Sequence, residues 1–122
     1  MLSEISKRTE ETLLKHLQAF GNADVDAIMS DYVDDSVLIM PDGPLRGTAE
    51  IRAGFELLLA DLPAGSTLEI STQIVEGEIA YIVWSGESET LRIPFATDTF
   101  VIRDGKIVAQ TFTPQMEKKA SA

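Results

Sequence analysis

Apolar positions in the first sixth of the chain recur at helical spacing. With successive residues set ~100° apart, Ile5, Leu13, Leu17 and Phe20 fall on one side, and Lys7, Arg8, Glu11, Lys15 and Gln18 on the other. The spacing predicts an amphipathic helix from Ser3 to Phe20, stopped by Gly21-Asn22. Asp24 is placed to cap a short second helix, Val25 to Tyr32, whose Val25, Ile28, Met29 and Tyr32 cover one face. Val33-Asp34-Asp35 reads as the turn that ends it. Ser36 to Met40 is apolar and β-rich, and Pro41-Asp42-Gly43-Pro44 closes it, so a strand and a reversal are expected. From Thr48 the helical period returns in Ile51, Phe55, Leu58, Leu59 and Leu62, until Pro63-Ala64-Gly65 breaks it.

The remainder reads as strands. Segments Thr67–Glu76, Ile79–Glu87, Leu91–Arg103 and Lys106–Met116 are separated by short polar stretches and by Asp104-Gly105, a strong tight-hairpin signal. In the first of them Leu68, Ile70 and Ile74 alternate with Glu69, Ser71 and Gln73, as a strand with one wet face does. From Ile79 to Trp84 both phases are apolar, which predicts cover on both sides. The helices supply one cover, and a second copy of the chain is expected to supply the other, as a homodimer. Helices grouped at the N-terminal side of a curved, mostly antiparallel sheet make an α+β domain, expected over residues 1–116, with a loose tail over 117–122.

At 122 residues the chain has room for one domain and one core. Its 10 Lys and Arg against 20 Asp and Glu give a net charge of −10, which leaves no basic stripe for nucleic acid or an anionic membrane. The N-terminal stretch is polar and no run approaches ~18 apolar residues, so a cytoplasmic protein is expected. With no cysteine and a single histidine, a transition metal would lack nitrogen and sulfur ligands, and there is no glycine-rich phosphate cradle, so neither metal nor organic cofactor is expected. Nucleophile-elbow, H-E-x-x-H and calcium-loop patterns are also missing from the sequence.

Two ionisable residues stand at apolar positions. His16 lies about 40° from Phe20 on the helical projection, inside the apolar stripe. It reads either as a buried neutral imidazole held by one hydrogen bond or as a group facing a pocket. Asp98 shares strand phase with Ala96, Phe100 and Ile102. A carboxylate there either finds donors or is driven toward its protonated form; a tie to Arg92, Arg103 or a hydroxyl is the structural alternative. Trp84, Tyr81, Tyr32, Phe55 and Met40 read as core, although a buried indole N–H or phenol O–H can point a donor into a cavity. Asp31, Asp34, Asp35 and Asp42 sit in turn contexts and read as solvated caps.

The run KHLQAFGNADVDAIMSDYVDDSVLIMPDGPLRGTAEIR, followed by a sheet ending in FATDTFVIRDGKIVAQTF, resembles the nuclear transport factor 2-like superfamily and, within it, the SnoaL-like and ketosteroid isomerase-like branch. The likeness spans nearly the whole chain. It implies a cone-shaped, cystatin-like α+β barrel with a pocket between helices and concave sheet, and often a homodimer. Asp98 falls where steroid-isomerising relatives place a protonated aspartic acid that donates to the substrate oxyanion, and His16 where they keep a tyrosine for the same oxyanion. Their general-base aspartate corresponds here to Met40, and a thioether cannot take a proton, so ordinary ketosteroid isomerisation is disfavoured.

The resemblance therefore implies one closed pocket containing His16 and Asp98 as a coupled pair, with Phe20, Tyr32, Met40, Phe55, Trp84 and Phe100 around a small, largely apolar ligand. It fits a cofactor-independent isomerase, dehydratase or cyclase. The alternative is a non-catalytic ligand-binding or dimerisation domain, since this scaffold hosts both.

Overall fold

The computed structural model describes residues 3–119. Ser3 caps α1 (Glu4–Gly21) by accepting the Ser6 N–H, and Asp24 caps α2 (Val25–Met29) by accepting the Ala27 N–H. The second helix is shorter than its apolar spacing predicts, because Tyr32 already belongs to β1 (Tyr32–Met40). A later strand captures that backbone: the Ile107 N–H donates to the Asp31 carbonyl, and Tyr32 pairs with Ile107. Val33-Asp34-Asp35 is thus an irregularity within β1 rather than a turn. Pairing breaks between Tyr32 and Val37, and Ser36 Oγ satisfies the Val33 N–H while donating to the Ile107 carbonyl.

Met40 and Gly43 close the reversal into β2 (Gly43–Arg46), which accommodates Pro44 as a sheet edge can. Gly47 then adopts φ +81°, where an L side chain is strained, and opens α3 (Gly47–Asp61). The remaining strands are β3 (Thr67–Glu76), β4 (Ile79–Glu87), β5 (Leu91–Arg103) and β6 (Lys106–Lys118). Of the tail expected over 117–122, Glu117 and Lys118 continue β6 opposite Arg92 and Leu91, and residues 120–122 lie outside the described residues.

The six strands run in the order β2-β1-β6-β5-β4-β3, antiparallel except for the parallel contact of β1 with β6. The α+β cone the sequence predicts is the fold. Its curved sheet stays open, with β2 and β3 as edges, rather than closing into a barrel. Residues opposite one another across strands share a face. The helices cover the row Ala80, Phe100, Gln110, Leu38 and the row Ile82, Asp98, Phe112. The opposite face carries Ile79, Val101, Ala109, Val37 and, beside it, Ile74, Tyr81, Thr99, Thr111, Ile39. No described helix is long and apolar enough to cross a membrane.

Candidate functional site

A cavity of about 670 Å³ lies between the concave sheet and helices α1 and α3, within the size range of small-molecule sites. Its wall is mostly apolar, and its buried end holds three polar side chains, His16, Asp98 and Gln110. Helix α3 comes close because Gly54 has no side chain; a Cβ there would stand 2.8 Å from Leu45 Cδ1 of the cavity wall.

His16 projects from α1 into an aromatic nest, with ring centroids 5.4 Å from Phe100, 5.8 Å from Tyr32 and 6.0 Å from Phe55, all edge-on. Behind it, Nδ1 lies 3.3 Å from Asp31 Oδ2, and Lys15 Nζ lies 2.8 Å from Asp31 Oδ1. Asp31 is fully buried, so the expectation of a solvated turn residue is wrong. It is buried because α1 delivers two cationic or donor side chains to it and β6 takes its carbonyl. Burial works to raise the Asp31 pKa, but the hydrogen bonds and charges of His16 and Lys15 outweigh it and hold the carboxyl below its ordinary value. A carboxylate only accepts, so in the neutral imidazole Nδ1 bears the proton and Nε2 is the acceptor. Nε2 makes no hydrogen bond, and no buried side-chain nitrogen or oxygen among the described residues is left unpartnered, so Nε2 faces the open cavity.

Asp98 sits across the same cavity on β5. The Trp84 indole N–H donates to its Oδ1 at 2.7 Å, and Gln110 Nε2 donates to its Oδ2 at 2.8 Å. Tyr32 donates its hydroxyl to Gln110 Oε1 at 2.5 Å, which orients the amide so that its N–H groups face Asp98. Burial pushes the Asp98 carboxyl up to about 6, against the lowering effect of the Trp84 and Gln110 hydrogen bonds and the His16 charge. Burial, with the charges of Asp98 and Asp31, also drives the Tyr32 phenol well above its ordinary range. Tyr32 therefore stays a neutral donor.

Seven of the eight side chains named from the sequence border this cavity: His16, Phe20, Met40, Phe55, Trp84, Asp98 and Phe100. Tyr32 does not; its hydroxyl is spent on Gln110 behind the wall. His16 and Asp98 share the cavity without a hydrogen bond between them, each bound to other partners, and what links them is the His16 charge acting on the Asp98 carboxyl. Nor is the pocket closed, since exposed Leu57, Ile70 and Met116 also line it. Gln110 could have been found by the signal that marked Asp98, a polar residue in phase with Phe112 on a covered strand. Asp31 carried no such signal. Among the described residues no three His, Asp or Glu side chains converge as a metal site would require.

Three helices on the concave face of a six-stranded, mostly antiparallel sheet, with a polar-ended cavity between them, define the nuclear transport factor 2-like class. The chain belongs to the SnoaL-like domain family, whose model matches residues 13–110. Among solved structures it is similar to one named as a candidate SnoaL-like polyketide cyclase from Jannaschia sp. CCS1, at 14% identity and TM-score 0.79 over 94% of this chain and 90% of that one. It is similar also to SalBIII, an epoxide hydrolase/cyclase-like enzyme of pyran ring formation in polyether salinomycin, at 17% identity and TM-score 0.78 over 93% and 97%. A third is an NTF-2 like protein of unknown function from Burkholderia xenovorans LB400, at 20% identity and TM-score 0.75 over 98% and 91%. At these identities the likeness is one of fold. No curated protein matches the sequence significantly.

Proposed function

We propose that the cavity binds a small, largely apolar molecule carrying a carbonyl or hydroxyl oxygen, and that the chain moves a proton on it as an isomerase, dehydratase or cyclase. The observation that carries this reading is the opposed pair of groups: an imidazole acceptor backed by Asp31, and a carboxyl raised to about 6, both on one apolar cavity. In this reading His16 Nε2 accepts a proton from the ligand. Asp98, when protonated, donates to the ligand oxygen where negative charge develops. Relatives named for cyclase chemistry are compatible with that assignment.

A panel of cyclic and straight-chain ketones in deuterated water tests it, with exchange of the protons next to the carbonyl followed by NMR. The wild type accelerates exchange for at least one ketone, and His16→Phe and Asp98→Asn each lower that rate about a hundredfold or more. Binding without any exchange supports the second reading, a non-catalytic binding domain. Met40 favours that reading, because it lines the cavity and offers no base.

We further propose a homodimer through the uncovered sheet face. Thirty of 122 residues are charged, yet across the inner strands β4, β5, β6 and β1 the rows Ile79–Val101–Ala109–Val37 and Tyr81–Thr99–Thr111–Ile39 contain none; the charges Glu76 and Arg46 stand only at the two edges of the first row. In a chain of net charge −10, a face whose centre carries no charge is where a second copy can approach with least repulsion.

A further inference from the structure

Nine large apolar side chains are exposed on the described chain, and they are not scattered. Ile39, Ile74, Ile79 and Phe95 lie on the convex sheet face, and Ile5 and Leu14 on α1. The other three, Leu57 on α3, Ile70 on β3 and Met116 on β6, all line the cavity, at 77%, 44% and 42% exposure. Their placement follows from the elements. Leu57 shares a helix face with Ala53, Gly54 and Asp61, which also border the cavity. Ile70 pairs with the inward-facing Trp84. Met116 stands two residues beyond Pro114, whose strand partner is the buried, inward-facing Ala96. Three separate elements thus turn exposed apolar side chains toward one opening, while His16, Asp98 and Phe100 at the other end are 3%, 6% and 1% exposed.

The charge along this channel is one-sided. Asp42, Glu50, Asp61 and Asp98 border it, and the only Lys or Arg side chain that the described residues bring to its wall, Lys118, is ion-paired with Asp61. Among the described residues an anionic ligand finds no unpaired ammonium or guanidinium there.

We infer that the ligand is a neutral amphiphile, its oxygen function at the His16 and Asp98 end and its alkyl or aryl tail leaving the cavity across Leu57, Ile70 and Met116. This rests on the reading that the cavity takes an oxygen-bearing apolar molecule. The alternative for the mouth is cover by a second copy, in which case added tail length finds no surface to bury.

Trp84 is the chain's one tryptophan and lines the cavity, so its fluorescence reports occupancy. The experiment titrates the full chain with straight-chain methyl ketones of increasing length and with the matching carboxylates near pH 6, where the free carboxylates are ionised and much of Asp98 still holds its proton. Affinity for the ketones is expected to rise roughly fourfold per added methylene, continuing through the lengths that reach the mouth. Each ketone binds at least tenfold more tightly than its carboxylate. In Leu57→Gln/Met116→Gln the rise flattens for the long members; both positions are exposed, so the fold tolerates the change. Short ketones that bind with no further gain at greater length, or a rise that the double variant leaves intact, overturn the tail while leaving the cavity reading in place. A preference for the carboxylate overturns neutrality. If no ketone of any length perturbs Trp84 or gives heat on mixing, both this inference and the reading beneath it fall.

Discussion

Asp31 Oδ2 lies 3.3 Å from His16 Nδ1, and this contact decides which nitrogen of the only histidine meets the cavity. The same carboxylate is held on its other oxygen by Lys15, whose side chain is 60% exposed, so a surface charge reaches the site through one buried group. Asp31→Asn keeps the shape but removes the charge. We expect it to cost about 1–3 kcal/mol in urea denaturation, because Lys15 and His16 lose a charged acceptor. The sign of its pH dependence follows from its lowered pKa. The stabilisation is complete above the unfolded value near 3.8 and is lost as the pH falls through the lower folded value. The variant should therefore lack that part of the acid-side loss of stability, and equal acid slopes for the two proteins would exclude the charge role.

Asp98 has the opposite sign. Its folded carboxyl, pushed up to about 6 from 3.8 by burial, holds its proton more tightly than the unfolded chain does. Between those values the native state binds more protons, so stability falls as the pH rises through the window and is level above it. A shift of this size corresponds to about 3 kcal/mol. Urea denaturation across the window should show that decline in the wild type and none of it in Asp98→Asn. In the variant the amide can still accept from Trp84, and Gln110 can turn to match the new N–H.

Tyr32 is expected to act by position rather than by contact with a ligand. Tyr32→Phe removes the donor that fixes the Gln110 amide, which is buried at 4% exposure, and should cost about 1–3 kcal/mol. Gln110→Leu takes away one of the two hydrogen bonds that oppose the rise of the Asp98 pKa, so the Asp98 titration should move upward in carbon-detected NMR. An unmoved titration would show that Gln110 does not tune the carboxyl.

The parts of the fold that local pattern governs were legible in the sequence. β3, β4 and β5 begin and end where alternation and the polar turns put them, and the Asp104-Gly105 hairpin pairs Arg103 with Lys106 and Ile102 with Ile107, although the ladder shifts by one residue from Val101 onward. What escaped depends on partners far along the chain. Tyr32 fits the apolar face of a helix, but Ile107, 75 residues on, pairs with it and makes it strand. Asp31 has the local context of a turn, and only α1 crossing over it turns that aspartate into the buried support of His16. His16 and Asp98 stood out because each broke an apolar period. Asp31 and the Gln110–Tyr32 link join residues 15 and 78 positions apart, a distance that no window of sequence displays.

The assembly proposal can be tested at the centre of the convex face, where Thr99 and Thr111 are strand partners between Tyr81 and Ile39. Multi-angle light scattering of the wild type at micromolar concentration should return twice the 13.3 kDa of one chain. Both threonines point away from the cavity row of Phe100 and Gln110, so Thr99→Glu/Thr111→Glu leaves the core of a single chain untouched. In a two-fold dimer, however, each glutamate would be buried against its own symmetry mates, and an unpaired carboxylate taken out of water costs several kcal/mol. The double variant should therefore run as a folded monomer, its circular dichroism unchanged, with the thermal midpoint now independent of concentration. A wild-type mass near 13.3 kDa would remove the dimer, and the exposed Ile39, Ile74, Ile79 and Phe95 would then need a different partner.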